Sequence, residues 1–256
     1  MNSVESGHAV RTAPVYEVLA ADIKSLGVEA VFGLMSDDTA LFVTALDMVG
    51  ITFHGGRHEN AAISMAEGYA YASGSLGIAV VGRGPATANG LHAAVYAART
   101  GSRVLIIYGD AAFGTSSTNA LGPDYKAFNA LGVLTAAGLQ VLRATSAAGA
   151  RTTLADAAGL AMQGNAVALL LPTSIQLSKL EWDDADPAPS VVVAETRAES
   201  ARPEAVQSAV DCLGRSQRPL IIAGLGAHRA GAREALEQLA DQIGAMLLTT
   251  ARAKEM

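Results

Sequence analysis

Four short apolar runs, separated by helical patterns, constrain this chain more than any other feature. "EAVFGL" (Glu29–Leu34), "GIAVVG" (Gly77–Gly82), "RVLIIYG" (Arg103–Gly109) and "AVALLLP" (Ala166–Pro172) show almost no alternation of polar and apolar residues. Strands that read this way are covered on both faces, as in a parallel sheet with helices above and below it. "ITFHG" (Ile51–Gly55) is a shorter candidate. Helical patterns fall between the runs, over Pro14–Leu26, Asp38–Met48, Glu59–Ala72, Thr87–Arg99, Tyr125–Leu131 and Ala147–Met162. Such alternation predicts an α/β fold, a doubly wound parallel sheet. Pro14 is expected at the first helical position and Gly27 just past the end of the same helix.

The pattern breaks after Pro172. Residues 178–202 are rich in Asp, Ala, Pro and charge, and are expected to form a linker. A second unit follows: helix Pro203–Leu213, strand Pro219–Gly224, helix Ala230–Ile243 and strand Ala245–Thr250. A segment of about 55 residues is small for an independent core. The expected organisation is therefore a first domain over 1–177, a linker over 178–202, and an incomplete second α/β domain over 203–256.

Composition excludes several function classes. Half of the residues are hydrophobic and 16% are charged, which argues against disorder. A net charge of −6 gives no electrostatic footprint for nucleic acid. The single cysteine, Cys212, has no partner for an intrachain disulfide and suits a reducing compartment. "MNSVESGHAVRTAP" has no apolar core of the kind a secretory signal needs. No run approaches the roughly 20 apolar residues of a membrane span. The expectation is a soluble, cytoplasmic protein with no membrane partner.

Three stretches are candidate sites. In "RHENAAISMAEGYA" (Arg57–Ala70), Glu59 opens a helix immediately after a strand end, at the sheet edge where ligands collect in parallel folds. Ala61, Ala62, Met65, Ala66, Tyr69 and Ala70 are read as a face that packs closely on a neighbour. Burial disfavours the charged form of a carboxyl, so a glutamate at such an edge can share a proton with a ligand nitrogen. A carboxylate in a first helical turn also simply complements the helix dipole, and on local pattern alone that is the favoured reading. "GRGPATANG" (Gly82–Gly90) lies between a strand and a helix, where backbone amides can approach a ligand, but Thr87 breaks the G-x-G-x-x-G pattern. "AGLGAHRAGA" (Ala223–Ala232) resembles a nucleotide-binding turn through Gly224 and Gly226, and a structural glycine turn is the better reading. His8, His54, His58, His92 and His228 show no metal-ligand spacing, and no metal-binding residue is assigned. HExxH, CxxC and GxSxG are all absent.

Taken in order, "GVEAVFGL", "GGRHENAAISMAEGYA", "GRGPATANGLHAAVYAARTGSRVLIIYGD" and "RPLIIAGLGAHRAGAREALEQLADQIGAMLLTTARAKE" resemble the thiamine diphosphate enzymes of the acetolactate synthase type. The likeness runs from about Val15 to the end. Its most specific element is RHE-x-A-A with its helix, placed in the right order before the GP-x-x-x-N turn. The resemblance implies that the first unit is a pyrimidine-binding domain and the second the start of a central domain. It implies that Glu59 is the catalytic glutamate that engages the aminopyrimidine and promotes formation of the C2 ylid, which attacks a 2-oxo acid. It implies that Gly33, Gly84, Pro85 and Asn89, with Glu59, contact the cofactor.

The same resemblance implies thiamine diphosphate and Mg²⁺ as cofactors. The Mg²⁺ ligands are expected in a diphosphate-binding domain, from elsewhere in the chain or from another subunit, within a homo-oligomer. FAD is a further candidate, held in the central domain of some members. Two departures stand out: Met35-Ser36 replaces the family's usual Pro-Gly, and Ala86 replaces the second glycine of GPGATN. The Phe-Gln pattern of acetolactate synthases is not evident between Gly109 and Arg143, and Phe113-Gly114 lacks the His-His pair of pyruvate decarboxylases. Decarboxylase and carboligase therefore both remain open. The isolated chain is expected to be inactive and to bind cofactor poorly. The competing expectations are a non-catalytic or split subunit that scaffolds a complete enzyme, and a nucleotide-binding module built on Gly224 and Gly226.

Overall fold

Apolar runs without polar alternation become strands only if both faces are covered, and the computed structural model shows how that is achieved. It describes residues 11–112, 118–119, 122–183, 186–193 and 200–254. In chain order the first unit contains β1 (Arg11–Pro14), α1 (Val15–Ser25), β2 (Ala30–Leu34), α2 (Ala40–Met48), β3 (Thr52–Gly55) and α3 (Glu59–Ser73). It continues with β4 (Gly77–Val81), α4 (Pro85–Arg99), β5 (Val104–Asp110), a short ribbon of β6 (Thr118–Asn119) and β7 (Gly122–Pro123), and α5 (Ala130–Ala136). Last come β8 (Gln140–Arg143), α6 (Ala147–Met162), β9 (Ala166–Pro172), α7 (Thr173–Leu177) and β10 (Lys179–Trp182).

Six of these strands form one parallel sheet in the order β3-β2-β4-β5-β9-β8. The fully buried β4, β5 and β9 are its centre. Val31, Ile78, Val80, Leu105, Ile107, Val167 and Leu169 meet α1, α2 and α6 on one face. Phe32, Ala79, Val81, Ile106, Tyr108 and Leu170 meet α3, α4 and α5 on the other. The fold is thus the expected doubly wound α/β sheet. Adjacent strands β2 and β4 send their chains to opposite faces, β2 into α2 and β4 into α4. That divergence opens a crevice at the carboxyl edge, the usual ligand position in such sheets.

Some boundaries differ from those expected. Pro14 ends β1 and occupies the N-cap of α1, with ψ 145°, rather than the first helical position. Gly27 does follow the helix, with φ +77°. The helix expected over Tyr125–Leu131 instead starts at Ala130, capped by Asn129, whose Oδ1 accepts the Gly132 N–H at 2.9 Å. Residues 179–182, expected in the linker, pair antiparallel with β1, and Trp182 packs on Ala13 and Val18. On α3 the buried residues are Glu59, Ala62, Ile63, Ala66 and Ala70, whereas Ala61 and Met65 are exposed.

The chain divides into two compact units, residues 1–195 and 196–256. The second comprises α8 (Pro203–Gly214), β11 (Leu220–Ala223), α9 (Leu225–Arg229), α10 (Arg233–Ile243) and β12 (Met246–Thr249). Parallel pairing places Leu220 beside Met246 and Ile222 beside Leu248, and all four side chains are exposed. Among the described residues, no helix is long and apolar enough to cross a membrane.

Candidate functional site

Glu59 is the first residue of α3 and is 8% exposed. The helix starts there because His58, in extended backbone, accepts the Asn60 N–H on Nδ1 at 3.2 Å, an N-cap that relieves one of the unpaired helix-start donors. His58, which carries no signal by spacing, therefore has a definite structural task. Asn89 Nδ2, one turn into α4, donates to Glu59 Oε2 at 3.1 Å. It is the one hydrogen-bond partner of that carboxyl among the described residues.

Close packing of α3 on α4 makes the meeting of Glu59 and Asn89 achievable. A Cβ on Gly90 would lie 2.6 Å from Ile63 Cδ1 and 3.5 Å from Glu59 Cβ, so the glycine lets the two helix starts approach. Asn60 Oδ1 reaches across and accepts the Ala93 N–H at 2.9 Å, a second tie that sequence reading missed. Pro85 stands at the first position of α4, exposed beside the turn. Gly84 has φ +71° and ψ −123°, a conformation closed to L side chains, and a Cβ there would lie 2.4 Å from the Lys126 carbonyl oxygen. Ala86 is already helical and needs no glycine, since every positive-φ residue described is glycine. Gly33 lies within β2, and a Cβ there would meet the Val80 carbonyl oxygen at 2.3 Å and the Phe53 ring at 2.7 Å. Its immediate requirement is packing.

A charged cluster also gathers at this edge, and no motif announced it. Arg83 makes a two-pronged pair with Asp124, at 2.9 and 3.1 Å. Hydrogen bonding to Asp124 raises the guanidinium above its ordinary value and holds the Asp124 carboxyl below its own. Lys126 Nζ donates to Asp37, to Ser36 Oγ at 3.1 Å and to Asp38 Oδ1 at 3.2 Å. Burial alone would lower the ammonium, but Asp37 and Asp38 outweigh it and the net shift is upward. The Lys126 hydrogen bond is also the main cause that holds Asp37 well below the usual carboxylate range. Both cations of this cluster are thus committed to internal carboxylates.

Two family models match the chain. One, described as "Thiamine pyrophosphate enzyme, N-terminal TPP binding domain", matches residues 14–131. The other, "Thiamine pyrophosphate enzyme, central domain", matches residues 206–256. The chain belongs to the thiamine pyrophosphate enzymes. It is also similar to the probable acetolactate synthase large subunit of Methanococcus aeolicus, 28% identical over 244 residues. That match takes in 93% of this chain, which spans 40% of the length of the relative.

Within this family member, the sequence-derived residues Glu59, Gly84, Pro85 and Asn89 come together at the starts of α3 and α4, while Gly33 lies in the adjoining strand. In the stretch Ala223–Ala232, Gly224 caps α9, Gly226 lies inside it, and Gly231 closes it with φ +62°. Gly224 and Gly226 do not have positive φ, no atom lies within 4 Å of a Cβ on either, and α9 is five residues long. Phe113 and Gly114 lie outside the described residues. No group of three His, Cys, Asp or Glu residues suited to a metal ion occurs among the described residues.

Proposed function

We propose that this chain is the pyrimidine-binding part of a thiamine diphosphate-dependent enzyme acting on 2-oxo acids, with Glu59 as its cofactor-activating acid. The observation that carries the reading is the Glu59 carboxyl, buried at the carboxyl edge of a parallel sheet. One of its oxygens is engaged by Asn89, and the other has no partner among the described residues. Such a carboxyl fits a basic ring nitrogen of an aminopyrimidine, with which it can share a proton. Gly90 lets the α3 and α4 starts approach closely enough for the Glu59–Asn89 pair, and Gly84 lets the turn before α4 pack under the Lys126 carbonyl. Pro85 and the backbone at Gly84 would line the ring, while Asn89 fixes the orientation of the carboxyl. Bound thiamine diphosphate supplies the carbon nucleophile and the electron sink, and the protein supplies position and the proton at Glu59.

The two family models and the relative's name support the acetolactate synthase-like class, with lyase or transferase chemistry as its finer reading. Diphosphate and Mg²⁺ would be held by a further domain, from the same or another chain, in a homo-oligomer. Because the helix starts offer only the pyrimidine half of a site, the isolated chain is expected to be inactive.

The test is Glu59→Gln in the enzyme assembled with its diphosphate-binding domain. Loss of the proton relay lowers turnover by about 10²–10⁴-fold with the fold intact. Turnover equal to wild type would instead support the second reading, a scaffolding subunit that retains the fold.

A further inference from the structure

The crevice between the β2 and β4 loops is occupied by a buried carboxylate that this reading does not use. We propose that Asp38 is a positioning residue for the Glu59–Asn89 pair, because it sets the strand-to-helix turn from which Asn89 reaches Glu59. The inference rests on the role of Glu59 proposed above.

The Asp38 side chain is 3% exposed. Oδ2 accepts the backbone N–H of Arg83 at 2.8 Å, while Oδ1 accepts from Ser36 Oγ at 2.7 Å and from Lys126 Nζ at 3.2 Å. A carboxylate withdrawn from water this far is costly unless donors surround it, and here they do. Two strand ends give up side chains to make the space. A Cβ on Gly109 would lie 1.8 Å from Asp38 Oδ2, and one on Gly82 would lie 2.8 Å from Ser36 Cβ.

Topology gives that carboxylate its leverage. The chain leaves β2 toward one face of the sheet and leaves β4 toward the other, so the two loops separate where the crevice opens. The Asp38–Arg83 hydrogen bond ties them across it. Arg83 directly precedes Gly84, whose unusual backbone starts α4, and Asn89 follows within the next turns. The segment bearing Asp124 and Lys126 closes on the same turn, through the Arg83–Asp124 pair and the Lys126 carbonyl over Gly84. The α4 start is thereby fixed at its backbone. A shift of about 1 Å in a positioning element is enough to lower catalysis by two orders of magnitude.

The experiment is hydrogen–deuterium exchange at C2 of thiamine diphosphate, quenched with acid and read by NMR, in the assembled enzyme saturated with thiamine diphosphate and Mg²⁺. Asp38→Asn, which keeps the size and removes the charge, is expected to slow exchange at saturation by at least about tenfold. Ser36→Ala removes one donor to Asp38 and is expected to act in the same direction with smaller amplitude. It carries the test if Asp38→Asn does not fold. A merely structural role would lower thermal stability and leave exchange in the folded, saturated enzyme at the wild-type rate. That result in Asp38→Asn, or in Ser36→Ala where Asp38→Asn is unfolded, overturns the proposal. Glu59→Gln separates the two readings. Exchange unaffected by Glu59→Gln overturns the role of Glu59 and this inference with it. Exchange lost in Glu59→Gln but unchanged in Asp38→Asn overturns only the inference about Asp38.

Discussion

Adding one methyl group to two different glycines of this fold should change stability in opposite directions. Gly84 has φ +71° and ψ −123°, and a Cβ there would lie 2.4 Å from the Lys126 carbonyl oxygen. Holding an L residue in such backbone costs about 1–3 kcal/mol. The contact must also open from 2.4 Å to at least 3.0 Å, against a segment tethered by Asp37, Asp38 and Arg83. A total loss of about 2–4 kcal/mol follows for Gly84→Ala. At roughly 2–4 °C per kcal/mol for a unit of this size, the melting temperature falls by about 4–16 °C. Gly68 lies inside α3, exposed, with nothing within 4 Å of a Cβ. Gly68→Ala should therefore gain about 0.5–1 kcal/mol through helix propensity alone. Thermal unfolding followed by fluorescence measures both. Trp182 is the one tryptophan of the chain, is 7% exposed, and belongs to the first unit, so its emission reports on that unit. A Gly84→Ala protein that melts with wild type would refute the assignment of a constrained turn. Equal losses in both variants would refute the contrast between the two sites.

The bidentate pair of Arg151 with Asp22, at 2.9 and 2.8 Å, joins α6 to α1 with side-chain exposures of only 16% and 7%. Arg151→Met should cost about 3 kcal/mol in urea unfolding because it strands a buried carboxylate, and adding Asp22→Leu should recover most of that loss. Lys126 holds the Asp37 pKa below the ordinary carboxylate value of about 3.9. The stabilisation is therefore complete above that value and disappears as pH falls through the lower, folded value. Carboxyl NMR titration should show the Asp37 midpoint moving up in Lys126→Met, and an unmoved midpoint would refute the pairing. The Tyr108 hydroxyl is fully buried, with no partner among the described residues, and burial pushes its pKa up. Tyr108→Phe should leave stability unchanged or raise it by about 1 kcal/mol, as read by the same melts.

The strands that unbroken apolar runs announce most clearly in the first unit are those whose environment is uniform. β4, β5 and β9 are buried along their whole length, so their composition alone announces them. Among the described residues, β8 (Gln140–Arg143) pairs only with β9 at the sheet edge and is nowhere fully buried, which leaves no comparable signal. β10 carries the alternation of a surface ribbon in "KLEW", but its partner β1 lies at the other end of the first unit. No local pattern predicts that pairing, and the charged residues beyond it drew the whole segment into an expected linker. The start of α5 was more legible than its expected placement suggests. Asn129 and Gly132 form an N-cap spacing, obscured by the aromatic Tyr125 and Phe128 just before it.

The site divides along the same physical line. Glu59 and Asn89 belong to motifs whose order along the chain carries information, and the packing of α3 on α4 brings them within 3.1 Å. Asp38 belongs to no such motif, and Ser36 enters only as a departure from one. By sequence pattern Asp38 reads as the start of the next helix. Their meaning emerges only when β2 and β4 prove to be neighbours that turn to opposite faces. The departures from the family pattern then acquire separate explanations. Ala86 replaces a glycine at a position with ordinary helical backbone, so no strain opposes it. Ser36 replaces a glycine with a hydroxyl that donates to a buried carboxylate, and two true glycines, Gly82 and Gly109, make room for the pair. In this chain, space released at the strand ends is refilled by polar groups that hold the α4 start. On that account the unusual loop after β2 is part of how the site is fixed, rather than a sign that the site has decayed.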